Sequence, residues 1–560
     1  MIASRFRKRK KIKAQIDPDE ILIDSQNIAQ FDRDQFEGRI ERPLGQRSFL
    51  LIGVIVGISF IALVVRAGDL QLLRGIAYAK QAEDNQLSQQ IIVADRGVIV
   101  DRNGVPLAYN VRESVTDAFA KRVYSTLRGV SLVVGYVKPP AKDSSGTYYR
   151  DVFLGMDGVE AAYNSELSGT NGSKLSETDA HGNVVSESIQ NEPVPGQKIT
   201  LSLDANVTQG LYDTLAKIAE QSGFQGGAGV IMDVQTGELL AMTSYPEYSS
   251  QALTDGDTAA ITAFNNDPKL PFLNRAVDGL YSPGSIIKPI IAVAALTEGV
   301  ITPDKQILST GSISVPNPYD PAHPSVFKDW RANGWVTMRQ AIAVSSDVYF
   351  YEVGGGYPGQ PGLGINAIDK YLNMFGFGAP TGLVGFTEPS GTISSVAWKA
   401  ANFPGDPWRL GDTYHTAIGQ YGTQITPLQA VREAAVIANG GKLLTPSLIA
   451  SSTPQFVQIN VPAQNLEVVR EGMRLGVTDG IAQAVKFDFV HVAAKTGTAQ
   501  VGIQNQYQNS WIIGFWPYEH PRYAFAMVME KGPAGTQIES PSAMGIFLQW
   551  MEANAPQYLQ

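Results

Sequence analysis

The segment YSPGSIIKPIIAVAALTEG, residues 281–299, places a serine and a lysine three positions apart at the start of a predicted helix. Pro283 and Gly284 end an extended stretch. The residues that follow are apolar on nearly every side, which is typical of a buried helix. Ser285 and Lys288 therefore share one helical face, where an unprotonated lysine can accept the serine proton and make the hydroxyl a nucleophile. Backbone N–H groups at the helix start can stabilise a developing oxyanion.

This spacing alone is weak evidence for catalysis. Ser285 can equally be a helix N-cap, with Lys288 a solvated charge. A second Ser-x-x-Lys, from Ser325 to Lys328, lies in PAHPSVFKDW, where proline interrupts the chain and no helix is predicted. The interpretation therefore depends on other groups that can act on the same hydroxyl.

The segment AVSSDVYFY supplies one such group, at a predicted helix or loop edge. Ser345 can relay a proton between Lys288 and a leaving amine, and Asp347 can accept a hydrogen bond from Lys288. A helix N-cap is the alternative, because Ser and Asp commonly provide one.

The segment HVAAKTGTAQVG predicts a strand whose edge carries Lys495, Thr496, Gly497 and Thr498. Gly497 leaves room for a substrate backbone, and Lys495 offers a cation to a carboxylate. The alternative is a plain edge strand made polar to avoid aggregation.

The elements around these groups predict a layered α+β or α/β domain that begins near residue 197. Residues 198–223 predict a strand, a turn at Asp204 and a long amphipathic helix. Residues 226–246 predict a β-hairpin, and residues 509–532 predict another antiparallel pair.

The preceding region, residues 67–196, predicts shorter elements. Residues 70–90 have helical character. Residues 91–110, which contain an Asn-Gly pair, predict a strand, a tight turn and a second strand. Residues 140–195 are rich in Gly, Ser, Asn and Thr and predict loops around short elements.

The run FLLIGVIVGISFIALVV, from Phe49 to Val65, is the only long uncharged apolar stretch of the chain. With the preceding serine it covers roughly 27 Å as a helix, enough for a bilayer core. Arg47 and Arg66 bracket it and it has no polar face, which disfavours a buried core helix. A cleaved signal peptide fits poorly because a long segment precedes the run. We therefore expect a transmembrane helix over residues 48–66.

Charge and composition restrict the function further. The 560-residue chain has a formal net charge of -9, yet seven basic residues lie between positions 5 and 13. This basic tail, residues 1–47, predicts a single-pass protein with its N-terminus inside and its bulk outside the cytoplasmic membrane. The tail has no aromatic platform, which disfavours nucleic-acid binding. The absence of cysteine excludes disulfides and thiol catalysis, and the five histidines are scattered, so no metal and no cofactor are expected.

The three groups match, in order, the Ser-x-x-Lys, Ser-x-Asn or Asp, and Lys-Thr-Gly motifs of penicillin-binding proteins and serine β-lactamases. RGVIVDRNGVPLA, residues 96–108, resembles the opening of the pedestal of class B penicillin-binding proteins. Residues 375–383, 411–429 and 441–446 resemble further stretches of their transpeptidase domain. Residues 67–550 thus resemble a class B penicillin-binding protein, a monofunctional D,D-transpeptidase.

Within that class, Asp347 in place of Asn and the Gly411-Asp412-Thr413 triplet resemble the elongation-type enzymes, the penicillin-binding protein 2 group. The division-type, septal enzyme is the alternative. The region before residue 197 is shorter than the resemblance to the elongation type implies. This departure puts the usual head-like insertion and its partner contacts in question.

The resemblance implies an α+β multidomain fold. Its parts are a cytoplasmic basic tail at 1–47, a transmembrane helix at 48–66, a β-rich, dimerisation-type pedestal at 67–196 and a penicillin-binding, serine β-lactamase-like transpeptidase domain at 197–560. In the last domain a central antiparallel sheet is flanked by helices.

The resemblance also implies a mechanism in which Ser285 attacks the penultimate carbonyl of a peptidoglycan stem peptide ending in D-Ala-D-Ala. Lys288 is the implied base, Ser345 passes a proton to the departing D-Ala, and the N–H groups of Ser285 and Thr498 form the oxyanion hole. The implied catalytic residues are Ser285, Lys288, Ser345, Asp347 and Lys495. The implied substrate-binding residues are Thr496, Gly497 and Thr498. A β-lactam mimics the donor and is expected to leave a slowly hydrolysed acyl-serine.

The stretch before residue 197 is too short for a glycosyltransferase domain. The implied partner is therefore a separate multi-span glycan polymerase of the shape, elongation, division and sporulation class. A D,D-carboxypeptidase, a β-lactamase and a non-catalytic scaffold that activates the polymerase are the alternatives. The long pedestal and the anchor argue against the two hydrolases, and the complete motifs argue against the scaffold.

Overall fold

The computed structural model describes residues 46–114, 117–178, 184–317, 320–536 and 539–560. The described residues divide into two compact units, with the boundary between Leu87 and Ser88. The basic run at positions 5–13 lies outside the described residues.

The first unit contains helix α1, Gln46–Gly68, then a π-helical turn, Asp69–Leu73, and helix α2, Gly75–Gln86. The stretch Phe49–Leu73 has a mean hydropathy of 2.6 and buries none of its residues. By length and composition it can cross a membrane, and it is the one such helix among the described residues. The predicted apolar helix is confirmed, whereas its orientation stays a prediction.

Short strands dominate residues 87–200. They are β1 (Leu87–Ile92), β2 (Ile99–Val100), β3 (Pro106–Val111), β4 (Lys121–Tyr124), β5 (Val137–Lys138), β6 (Ala141–Lys142), β7 (Tyr148–Arg150), β8 (Leu154–Gly155), β9 (Gly172–Thr178), β10 (Val184–Asn191) and β11 (Ile199–Thr200). Short helices between them are α3 (Ser131–Val134), α4 (Gly158–Ala162) and α5 (Asn164–Ser168).

These strands form two main sheets, ordered β1–β9–β10 and β11–β2–β3–β4. Strands β2 and β3 are antiparallel, and Gly104 between them has a φ of +83°, so the predicted strand, tight turn and strand are confirmed. The helix predicted for residues 70–90 ends early, at Gln86, because the chain from Leu87 onward pairs in a sheet instead.

The loop-rich prediction for residues 140–195 is wrong where β9 and β10 form a hairpin. Every residue of β10 is exposed, so its polar composition resembles that of a loop although its backbone is paired with β9. Composition alone therefore does not separate a solvated strand from a loop.

A buried charge cluster holds this region together. Arg96 Nε lies 2.6 Å from one oxygen of Glu160 and Arg122 Nε lies 2.8 Å from the other, and all three side chains are inaccessible to solvent. Tyr124 adds a hydroxyl donor to the same carboxylate at 3.2 Å. Two cations and a phenol thus compensate one buried carboxylate.

Residues from 205 onward contain the larger elements. The helices are α6 (Ala205–Ser222), α7 (Ser250–Asp255), α8 (Thr258–Asn266), α9 (Lys288–Thr297), α10 (Met338–Val344), α11 (Asp347–Gly355), α12 (Ile365–Met374), α13 (Val396–Asn402), α14 (Leu410–Ala417), α15 (Pro427–Ala438), α16 (Ala463–Thr478) and α17 (Ser540–Asn554). The strands are β12 (Gly226–Asp233), β13 (Leu239–Tyr245), β14 (Ile307–Ser309), β15 (Ser312–Val315), β16 (Ser325–Lys328), β17 (Gly334–Val336), β18 (Lys442–Leu444), β19 (Phe456–Gln458), β20 (Ala493–Val501), β21 (Tyr507–Trp516) and β22 (Tyr523–Pro533).

Five of these strands form one antiparallel sheet in the order β13–β12–β22–β21–β20. Because side chains alternate along a strand, its two faces bury different clusters. Val230 and Ile513 pack in the cluster that contains α9 and α15, whereas Ile231 and Ile512 pack in the cluster that contains α6 and α17. The predicted α+β domain, a central antiparallel sheet flanked by helices, is confirmed.

Local sequence signals account for several of these elements. The carboxylate of Asp204 accepts hydrogen bonds from the backbone N–H groups of Asn206 and Val207, and so caps α6. The hairpins predicted at 226–246 and 509–532 are β12–β13 and β21–β22. Strand β20, which contains the Lys-Thr-Gly motif, is the last strand in the sheet order. One side of its backbone is therefore not paired with another strand of this sheet.

Candidate active site

Ser285 lies in a short 3₁₀ turn, Gly284–Ile287, that leads directly into α9. Gly284 has a φ of +55°, and a Cβ on it would lie 2.8 Å from the carbonyl oxygen of Thr498. The turn therefore requires glycine on two counts, backbone conformation and space. It presses the backbone beside Ser285 against strand β20.

Lys288 begins α9 and is fully buried. Its Nζ donates to Asp347 Oδ1 at 2.6 Å, to the carbonyl of Ser345 at 2.8 Å and to Ser345 Oγ at 3.2 Å. Among the described residues, the Nζ of Lys288 makes its hydrogen bonds to Ser345 and Asp347 and none to the hydroxyl of Ser285. The hydrogen bond predicted between Asp347 and Lys288 is present.

Ser345 links the end of α10 to the start of α11, with a φ of 57°. This left-handed conformation is unusual for serine and aims its hydroxyl at two lysines, Lys288 at 3.2 Å and Lys495 at 2.8 Å. Both lysine nitrogens donate to the hydroxyl, which has two acceptor lone pairs and one hydrogen of its own to donate. The arrangement is suited to moving a proton between neighbours.

Lys495 is almost completely buried, and its Nζ also donates to the Thr496 carbonyl at 2.7 Å. Burial lowers the pKa of Lys495 well below its ordinary value, and the nearby charge of Lys288 lowers it further. A lysine in this setting is readily neutral, which adds a second candidate proton acceptor to Lys288.

The edge of strand β20 packs against the turn Gly284–Ile287. A Cβ on Gly497 would lie 2.8 Å from the carbonyl oxygen of Pro283 and 2.9 Å from Cγ2 of Ile286, so glycine permits this contact. Thr498 is exposed, whereas Lys495 and Gly497 are buried. The predicted edge position of the Lys-Thr-Gly segment is confirmed.

These residues surround one cavity of about 860 Å³. The residues predicted from sequence that line it are Ser285, Ser345, Asp347, Thr496, Gly497 and Thr498. Lys288 and Lys495 are buried behind this lining and reach it through Ser345. All eight predicted site residues therefore lie in one constellation.

The structure adds Asp329, which the sequence did not single out. Its Oδ2 accepts from Ser346 Oγ at 2.7 Å, from Ser309 Oγ at 3.0 Å and from the Val348 N–H at 3.1 Å. Asp329 thus fixes the turn that carries Ser345. It follows β16, Ser325–Lys328, so the second Ser-x-x-Lys is a strand, where residues three apart point to opposite faces.

Other cavity residues were also not predicted. Gln420, His415, Trp330 and Glu539 all line the cavity. Burial lowers the pKa of His415, so it is mainly neutral near pH 7. No local motif marks these residues, because only tertiary packing brings them to the site.

Metal ligation has little support in the described part of the chain, where no group of three or more His, Cys, Asp or Glu side chains could hold an ion. Lysine side chains lie beside the site instead, namely Lys288, Lys495 and the cavity-lining Lys328.

Comparison with known proteins places the chain in a family. The family profile of the penicillin binding protein transpeptidase domain matches residues 227–552, more than half of the chain. The chain belongs to this family. The penicillin-binding protein dimerisation domain matches residues 115–201. The predicted class B penicillin-binding protein is therefore confirmed.

The penicillin-binding protein is similar to a peptidoglycan D,D-transpeptidase MrdA of Haemophilus influenzae, with 29% identity over 478 residues, 78% of this chain and 70% of the relative. A solved complex of PBP2 and MreC from Helicobacter pylori has a TM-score of 0.69 and 26% identity, covering 84% of this chain and 99% of that one. A peptidoglycan synthase complex, in which polymerization and crosslinking are coordinated, contains a chain with a TM-score of 0.69 and 26% identity, covering 89% of this chain and 97% of that one. The predicted likeness to the penicillin-binding protein 2 group is confirmed.

Proposed function

We propose that the chain is a peptidoglycan D,D-transpeptidase of the MrdA, elongation-associated type, with Ser285 as its acylated nucleophile. The observation that carries the proposal is the meeting of three distant segments at one cavity. Ser285 from the start of α9, Ser345 between two lysines, and Thr498 on an open strand edge line the same space.

The first half-reaction follows from these positions. Ser285 Oγ attacks the penultimate carbonyl carbon of the donor peptide, and the negative oxygen that forms accepts from the backbone N–H groups of Ser285 and Thr498. The peptide C–N bond then breaks. The proton lost by Ser285 reaches the amine of the departing D-Ala through Lys288 and Ser345, which leaves an acyl-serine.

The second half-reaction reverses the sequence with a new amine. An amine from a neighbouring stem peptide attacks the acyl carbon and the ester bond to Ser285 Oγ breaks. The amine proton returns through the same chain to Ser285 Oγ, and the cross-linked product is released. Thr496 and Thr498 bind the terminal carboxylate of the donor, with Lys495 buried behind them. The exposed edge of β20 can pair with an extended peptide, with Gly497 leaving space beside the turn.

Anchoring and partners complete the proposal. The apolar α1 is the single membrane anchor, with the N-terminus inside and residues 67–196 and 197–560 outside as pedestal and transpeptidase domain. A multi-span glycan polymerase supplies the strands, and the related peptidoglycan synthase complex supports this pairing. Co-purification with the polymerase that survives deletion of the anchor and pedestal would contradict contacts in those parts.

The test mixes the full-length chain in detergent with a fluorescent penicillin and follows the intact mass. We expect one adduct in the wild type and none in Ser285→Ala. Ser325→Ala is the matched control, because Ser325 begins the other Ser-x-x-Lys and is exposed on β16. An adduct that persists in Ser285→Ala would remove Ser285 from its role.

A further inference from the structure

The loop of residues 419–422 follows α14. It lies directly against the turn Gly284–Ile287, which contains Ser285 and is called the nucleophile turn below. The N–H of Gly284 donates to the carbonyl of Gly419 at 2.9 Å. A Cβ on Gly419 would lie 2.0 Å from the carbonyl oxygen of Gly284, so the two backbones are in the closest contact that glycine permits. Any displacement of this loop therefore reaches the residue that precedes Ser285.

Gln420 connects the same loop to the other wall of the cavity. Its Nε2 donates to the carbonyl of Thr498 at 3.4 Å, and its own N–H donates to the His415 carbonyl at 2.9 Å. Gln420 also lines the cavity. The loop thus touches both the nucleophile turn and the strand that supplies the second oxyanion-hole N–H.

Tyr421, the next residue, has a φ of +80°. A bulky residue with a Cβ rarely adopts this conformation, because the Cβ approaches the following carbonyl. Strained residues of this kind persist where surrounding contacts hold them, and they concentrate at functional sites.

Two indoles and a lysine, an aromatic cage open on one side, contact the ring of Tyr421, which is 37% exposed. Trp398 and Trp408 contact it edge-on, with centroid distances of 5.4 Å and 5.8 Å and interplanar angles of 72° and 87°. The ammonium of Lys399 lies 5.8 Å from the ring centroid. The ring is therefore held by two indoles and one cation.

The cage is itself anchored. Lys399 is buried, and its Nζ pairs with Asp412 at 2.6 Å and with Asp406 at 3.1 Å. Trp408 Nε1 donates to Thr413 Oγ1 at 2.8 Å. These contacts tie the cage to α14, which gives the ring a fixed frame.

We propose that Tyr421 is a positioning residue whose ring, held by the cage, keeps the 419–422 loop in its strained conformation. Gly419 and Gln420 in turn fix the position of the nucleophile turn relative to Thr498. The inference rests on the proposed function, since it concerns the geometry of the oxyanion hole. The ring restrains the backbone of the 419–422 loop and makes no contact with the substrate or with Ser285.

A matched pair of substitutions tests the proposal. Tyr421→Ala removes the ring but keeps a Cβ, so the backbone leaves positive φ and acylation by fluorescent penicillin slows by about tenfold to a hundredfold. Tyr421→Gly removes the ring as well, yet glycine adopts positive φ without strain, so acylation stays near the wild-type rate. The loss in the alanine variant lies in the rate constant at saturating penicillin, not in the non-covalent binding constant.

A second pair keeps the test independent of folding defects at position 421. Trp398→Ala opens the cage and slows acylation, whereas Trp398→Ala combined with Tyr421→Gly restores the rate, because glycine no longer needs the cage. Trp335→Ala, at an exposed tryptophan of β17, is the control and leaves the rate unchanged. Thermal unfolding of each variant checks that the fold is retained.

Three results would overturn the proposal: equal slowing in the alanine and glycine variants, an unchanged rate in Trp398→Ala, or no rescue in the double variant. Each leaves the proposed function standing if the wild type forms the adduct. A wild type that forms no adduct with penicillin contradicts the proposed function itself.

Discussion

Ser345 is the residue on which the chemistry of the site converges. Its hydroxyl lies within hydrogen-bonding distance of both Lys288 and Lys495, and the Nζ of Lys288 also donates to Asp347 at 2.6 Å. Two ammonium groups around one hydroxyl repel each other, and burial further disfavours charge on Lys495. Burial therefore favours the neutral form of the Lys495 amine beside the hydroxyl of Ser345.

Lys288→Arg is expected to abolish acylation by penicillin. A guanidinium stays protonated, so it can preserve the ion pair with Asp347 but cannot accept the serine proton. The measurement is the rate of adduct formation followed by intact mass, with Lys370→Arg, at an exposed lysine, as control. Normal acylation in the Lys288 variant would remove that lysine from the role of base.

Helix α15 carries a buried carboxylate whose desolvation is unfavourable for the stability of the fold. Glu433 on this helix is fully buried, and both of its carboxylate oxygens are without a hydrogen-bond partner among the described residues. Burial raises the pKa of Glu433 well above its ordinary value, while the nearby Lys495 lowers it in part. The folded chain thus keeps a proton there that the unfolded chain releases above about pH 4.5. The stability this proton contributes is complete below that pH and is lost as pH rises through the folded pKa.

Glu433→Met is therefore expected to raise the free energy of unfolding by about 1–3 kcal/mol at pH 8, and by less at pH 5. Methionine has a similar volume and no polar group to desolvate. Thermal unfolding at the two pH values measures the difference, with Glu552→Met, at an exposed position of α17, as control. A variant that is less stable than the wild type at pH 8 would show that Glu433 is charged and compensated.

The scale of elements also shows what the sequence could predict. Ser285, Lys288 and the Lys495 edge were found because each motif lies within one turn or one strand, where spacing determines proximity. Asp329 and Gln420 were not found, because their partners, Ser346 and Thr498, are distant in sequence and only packing joins them. Strand β10 was missed for a different reason, since an exposed strand carries no apolar alternation to reveal it.

At the scale of the whole molecule, two buried charge systems have different roles. The lysine pair lies beside the cavity, whereas the cluster of Arg96, Glu160 and Arg122 joins the segment before β2 and strand β4 to helix α4. A buried carboxylate that holds two guanidinium groups is costly to remove, because two cations then remain uncompensated.

Glu160→Gln is expected to destabilise the region of residues 88–200 by about 3–5 kcal/mol. Glu113→Gln is the matched control. Glu113 pairs with Lys121 at the surface, where solvent screens the two charges and the bridge contributes little to stability. Urea unfolding together with hydrogen exchange in this region measures both, and equal effects of the two variants would contradict a structural role for the buried cluster.

The cavity around the proposed nucleophile is assembled from segments around positions 285, 345 and 495, and this has a practical consequence. A nascent or partly unfolded chain contains every motif but no site, because the lysines, the hydroxyl and the strand edge meet only after the sheet closes. Covalent labelling by penicillin is therefore expected to be proportional to the number of fully folded molecules. The same reagent that tests the chemistry can serve as a measure of folding in intact cells.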